Sequence, residues 1–183
     1  GTPVPLRAIL SHTAGFNLHG FADFQPGDAL PDVLDTLNGT APTGDDPLAR
    51  EAPSGLAYRY SGGGYTLAQL LVSDVMGAPF ETVARDQLFA PLGLTRSTYT
   101  NPLPPEHGNI ARAHNGGGEP VALPRGYEAM PEMAASGLWT SATDLGRMTA
   151  EMIRAYRGQS GYLHPVLGQE MMTRVSPSEH GLG

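Results

Sequence analysis

Two residue types are missing from this sequence, and each absence excludes a kind of chemistry. There is no cysteine, so disulfides, thiol nucleophiles and thiolate metal sites are impossible within these residues. There is no lysine either, because all 11 basic residues are arginine. A mechanism that needs a lysine must take it from other polypeptide. Positive charge is scarce as well. The net charge of −7 argues against nucleic acid and anionic membrane surfaces as partners. No run approaches the roughly 20 apolar residues of a membrane span. Gly1-Thr2-Pro3-Val4-Pro5 has neither the basic start nor the apolar run of a signal peptide, which leaves the compartment open. The 6 histidines are scattered and show no metal-ligand spacing. No phosphate-cradling, dinucleotide or nucleophile-elbow pattern is present. No metal or cofactor is expected.

What is present suits one folded unit. The chain has 183 residues, of which 40% are hydrophobic and 16% charged, enough for a core and too few charges for a solvated disordered chain. The 24 glycines and 17 prolines imply short helices joined by many turns and loops. Apolar spacing predicts helices over 5–12, 31–37, 65–76 and 79–89, a longer one from Ser141 to Gly158, and a last one over 165–173. The expected apolar stripes are Leu67, Leu71 and Val75 in the third helix, and Leu145, Met148, Met152 and Tyr156 in the long one. Ser141 and Asp144 form a Ser-x-x-Asp start for that helix. Residues 100–133 read as mostly irregular. No strand alternation persists, so the chain as given is expected to be mainly α.

One segment stands apart, Tyr60-Ser61-Gly62-Gly63-Gly64-Tyr65, in which a tyrosine precedes a glycine hinge that feeds a helix. A helix N-terminus favours a phenolate by at most ~1–2 kcal/mol. Bringing a phenol from about 10 to about 7 needs roughly 4 kcal/mol. Tyr60 as a base would therefore also need a close cation. Arg59 is adjacent, but consecutive residues of extended chain point to opposite sides. From chemistry alone, Tyr60 reads as a buried, hydrogen-bonded tyrosine first and as a catalytic one second.

Four blocks, in order, resemble the serine β-lactamase and penicillin-binding superfamily, on its class C β-lactamase, esterase and D-peptidase side. The first is Leu6-Arg7-Ala8-Ile9-Leu10-Ser11-His12-Thr13-Ala14-Gly15-Phe16. The second is Tyr58-Arg59-Tyr60-Ser61-Gly62-Gly63-Gly64-Tyr65. The third is Leu88-Phe89-Ala90-Pro91-Leu92-Gly93-Leu94, followed by Ser97-Thr98. The fourth is Ala135-Ser136-Gly137-Leu138-Trp139-Thr140-Ser141-Ala142-Thr143-Asp144-Leu145. Together they run over nearly the whole chain.

The resemblance implies that residues 1–183 are a single helical subdomain, with long loops, of an α/β (α+β) β-lactamase-like fold. It implies a site of three parts, namely a Ser-x-x-Lys helix, a Tyr-x-Asn element, and a Lys-Thr-Gly or His-x-Gly strand. Only the second part has a counterpart here. Tyr60 takes the catalytic tyrosine position. Gly62 takes the substrate-contacting position where the family often has asparagine. Trp139 lies in a loop that the family keeps close to its cleft, so a substrate-wall role is implied for it beside a packing role. The nucleophile and the closing strand would come from the remainder of the polypeptide, before Gly1 and after Gly183. The implied substrate is a small ester, β-lactam or D-amino-acid amide, hydrolysed through an acyl-enzyme, and the 183 residues alone are expected to be inactive. Two other readings stay open: a hydrolase using Ser11 or Ser61 with a histidine, and a non-catalytic penicillin-recognising or partner-binding module. Ser11-His12-Thr13 is expected to be helix-end packing, since consecutive residues do not face each other.

Overall fold

The computed structural model describes residues 3–22, 24, 27–121 and 131–182. Residues 122–130, part of the stretch expected to be irregular, lie outside the described residues, as do Gly1 and Thr2. The described chain is helical: α1 (Leu6–Leu10), α2 (Val33–Asn38), α3 (Gly62–Met76), α4 (Phe80–Ala84), α5 (Met133–Ser136), α6 (Ala142–Tyr156) and α7 (Pro165–Met171). The helix expected over 79–89 changes character part-way, since α4 passes directly into a π-helical turn, Arg85–Phe89. A short 3-10 turn, Pro105–His107, is also present. Among the described residues, β structure is limited to isolated bridges, such as Thr98 with Trp139 and Phe16 with Arg50.

Helix α3 is the hub, packing against α1, α2, α4 and α5, while α6 pairs with α7. The core is divided. One cluster gathers Ala8, Ile9, Ala14, Phe16 and Ala68; a second gathers Ala84, Phe89 and Leu94, with Tyr99 and Met148 against it.

The three glycines expected to be a hinge form the first turn of α3 instead. They are buried because the loop carrying Leu18 and His19 lies directly on them. A Cβ on Gly63 would sit 2.8 Å from both Leu18 Cβ and Leu48 Cδ1. A Cβ on Gly62 would meet the Phe21 ring at 2.9 Å and the His19 carbonyl oxygen at 3.0 Å. Missing side chains therefore serve close approach here.

The expected apolar stripes are corrected in both long helices. Leu71 and Val75 of α3 are 41% and 74% exposed. The buried side of α3 is instead small and polar: Gly62, Gly63, Gly64, Thr66, Ala68 and Gln69. In α6, Leu145 and Tyr156 face solvent, while Asp144, Glu151 and Ala155 are buried. The acids can be buried because each is bound. Asp144 Oδ2 accepts from the Arg96 backbone N–H at 2.7 Å and from Ser97 Oγ at 3.0 Å. Glu151 takes the Arg154 guanidinium and the Ser160 hydroxyl, and these two hydrogen bonds hold its carboxyl below the usual carboxylate range. Ser141 caps α6 as expected, its Oγ accepting from the Asp144 N–H at 3.2 Å.

Candidate active site

The motif blocks of the sequence couple in two pairs. The third and fourth join through reciprocal backbone hydrogen bonds of 2.9 Å between Thr98 and Trp139, and through Asp144, whose Oδ2 accepts from Ser97 Oγ at 3.0 Å. The first and second join around Tyr60. Arg59 N–H donates to the His12 carbonyl at 2.7 Å. Ser61 N–H donates to His12 Nδ1 at 3.1 Å. Tyr65 Oη donates to the Leu10 carbonyl at 2.9 Å.

Rings collect at this joint. The His12 imidazole stacks on Tyr60 with centroids 4.4 Å apart and 29° between planes. His19 approaches the same phenol at 4.8 Å, Tyr65 lies 5.1 Å from His12, and Tyr58 bridges His12 and His180 at 5.8 and 5.6 Å. Tyr60 itself is 43% exposed. Among the described residues its hydroxyl makes no hydrogen bond, unlike those of Tyr65 and Tyr162, each held by a backbone carbonyl.

The start of α3 explains how Tyr60 is presented. Ser61 is the N-cap: its Oγ accepts from Gly64 N–H at 3.1 Å and donates to the Leu18 carbonyl at 2.9 Å. Gly62 and Gly63 donate to the His19 and Leu18 carbonyls, both at 3.1 Å. The first N–H groups of the helix, which carry its positive end, are thus occupied by neighbouring oxygens. Arg59 is not the missing cation either, since its guanidinium pairs with Glu51 at 2.6 Å.

His12 accepts a backbone N–H on Nδ1, so its proton resides on Nε2. Burial, then the nearby His180 and His19, push its pKa below the ordinary 6.5. Burial likewise raises Tyr65, with Tyr60 and Tyr58 adding to it.

Neither serine weighed above is placed to attack a substrate. Ser11 is 1% exposed and donates to the Arg7 carbonyl; Ser61 is 3% exposed with its hydroxyl committed as described. Among the described residues, neither hydroxyl bonds to a histidine. Gly62 lies beneath Phe21. Trp139 lines a separate cleft with Arg96, His107 and Ile110, one that includes neither Tyr60 nor His12. Among the described residues, no cluster of three or more His, Asp or Glu is arranged to hold a metal, and no helix is long and apolar enough to cross a membrane.

The sequence pattern points to Tyr60, while it assigns His12 to helix-end packing and gives no role to His19, Tyr58, Tyr65 or His180. Tyr58 was within reach of it, since residues two apart in extended chain share a face. His12 was not, because the residues around its ring and carbonyl lie 46 to 53 residues away in sequence.

A sequence profile of the family described as Beta-lactamase matches residues 1–180. The chain belongs to the beta-lactamase family. Among relatives in this family, PbpX, a candidate penicillin-binding protein of Bacillus subtilis (strain 168), is 24% identical over 187 residues, spanning 100% of this chain and 42% of that protein. The D-amino acid amidase of Ochrobactrum anthropi SV3, solved with L-phenylalanine, superposes with a TM-score of 0.66 at 20% identity, over 98% of this chain and 52% of the amidase. The beta-lactamase/D-alanine carboxypeptidase of Pseudomonas syringae gives 0.64 at 21% identity, over 98% and 47%. These likenesses show a beta-lactamase-like fold. The chain spans about half the length of the relatives it matches.

Proposed function

We propose that residues 1–183 form the helical side of the active site of a serine hydrolase, and that Tyr60 is its general base. The observation that carries this reading is the contrast between a rigidly seated ring and an idle hydroxyl. Tyr60 is stacked on His12, yet the residue is 43% exposed and its oxygen is unbonded among the described residues. Tyr58 also leaves its hydroxyl unbonded among the described residues, but it meets His12 edge-on, whereas Tyr60 stacks on that imidazole.

The reaction needs a nucleophile and a cation that these residues do not supply. A serine from the remainder of the polypeptide attacks the carbonyl of an ester, β-lactam or D-amino-acid amide. The Tyr60 oxygen takes the serine proton and delivers it to the departing oxygen or nitrogen. The acyl group is then bonded to the serine, and water, deprotonated in the same way, releases it as the acid. An ammonium group beside Tyr60, also from outside, holds the phenolate. Family membership and the likeness to a D-amino acid amidase and a beta-lactamase/D-alanine carboxypeptidase support the amide and β-lactam part of this range. Contact of substrate with Gly62 would require Phe21 to swing aside, and Trp139 would act from its own cleft as a neighbouring wall.

An active-site fluorophosphonate tests the reading. It should label the full-length protein at a serine outside residues 1–183 and leave the isolated chain unlabelled. Labelling at Ser11 or Ser61 would favour the other hydrolase, and no labelling of the full-length protein would favour a binding module.

A further inference from the structure

We propose that His12 is a positioning residue for Tyr60, an inference that rests on the reading of Tyr60 as the general base. A single residue grips the chain on both sides of the tyrosine and the ring between. Its carbonyl accepts from Arg59 N–H at 2.7 Å. Its Nδ1 accepts from Ser61 N–H at 3.1 Å. Its ring face covers the phenol at 4.4 Å.

The backbone of His12 is in the left-handed region, at φ 56°, which is uncommon for a residue with a side chain. Termination of α1 accounts for that conformation, because a residue just past a helix end often adopts it. Glycine or asparagine would serve there at least as well. Helix termination does not account for the ring, which stacks on Tyr60 and binds the N–H of the residue that caps α3. The imidazole therefore couples the end of α1 to the start of α3 at the point where Tyr60 emerges. For a phenol with a free hydroxyl and 43% exposure, the His12 face and the more tilted His19 ring at 4.8 Å are the ring contacts that fix its side-chain rotamer. A displacement of about 1 Å in a reacting group can cost on the order of a hundredfold in rate.

The test is a double-mutant cycle in the full-length protein, with p-nitrophenyl butyrate, nitrocefin and D-phenylalaninamide as probes and the fastest of them used throughout. His12→Asn tolerates the left-handed backbone and can present its Oδ1 to the Ser61 N–H, but it removes the ring face. The expected result is a fall in kcat of roughly ten- to a hundredfold with KM little changed. Introduced into Tyr60→Phe, the same substitution should cause no further loss. An unchanged kcat in His12→Asn, while Tyr60→Phe is impaired, would overturn the positioning role and leave the base in place. Equal losses with and without the Tyr60 hydroxyl would overturn it as well, marking His12 as merely structural. Wild-type turnover in Tyr60→Phe, or no turnover of any probe by the full-length protein, would overturn both readings. Should His12→Asn not fold, His12→Gly, which suits the left-handed backbone and also removes the ring face, enters the same cycle with the same outcomes.

Discussion

The imidazole of His12 and the phenol of Tyr60 lie face against face, 4.4 Å between centroids. The same imidazole binds the N–H of the residue that follows the tyrosine. Protonating Nδ1 would remove that acceptor, which ties the joint between α1 and α3 to pH.

The sign of the pH effect follows from burial. His12 in the folded state holds its pKa below the ordinary 6.5, mainly by desolvation and then by His180 and His19. As pH falls below about 6.5, the unfolded chain takes up the proton first, so stability falls until the folded value is passed. In thermal unfolding of the full-length protein, the wild-type midpoint should fall relative to that of His12→Asn between pH 7 and pH 5.

Glu132 gives the opposite slope in a neighbouring range. It is 1% exposed, Thr36 donates to its Oε1 at 2.8 Å, and its Oε2 has no hydrogen-bond partner among the described residues. Burial raises its pKa above the ordinary 4.5, the charge of Asp45 adding and the Thr36 bond only partly opposing. Above 4.5 the unfolded chain releases this proton first, so Glu132 subtracts stability as pH rises through its folded value. Glu132→Gln should gain stability relative to wild type as pH climbs from 4.5 to 7, read from urea midpoints. A constant difference would show that the carboxyl ionises alike in both states.

The family's frequent asparagine has no room at position 62. Its Cβ would lie 2.9 Å from the Phe21 ring and 3.0 Å from the His19 carbonyl oxygen. Overpacking of this kind costs about 1–3 kcal/mol. Gly62→Asn should lower the unfolding midpoint correspondingly. A stability equal to wild type would mean that the loop over α3 yields freely.

What could be read from the sequence was local. Caps and breakers located the helices to within a few residues, since Ser141, Gly77 and Pro165 act through their immediate neighbours. Tyr60 was legible through the pattern around it. The faces of α3 and α6 were not, because beside two alanines their buried residues are glycines, a threonine, a glutamine and two acids. Such residues go inside only when a distant partner satisfies them, as Ala134 N–H does for Gln69 Oε1 at 3.0 Å. His12 was illegible for the same reason. Its ring is defined by residues 58–65, and nothing within its own helix end reveals them.

The most direct test of the account is kcat for Tyr60→Phe in the full-length protein, measured beside its unfolding midpoint. The substitution removes one oxygen that forms no hydrogen bond among the described residues, so the midpoint should not move. The account predicts a fall in kcat of about 10²- to 10⁴-fold. Turnover at the wild-type rate, with the midpoint unchanged, would contradict it.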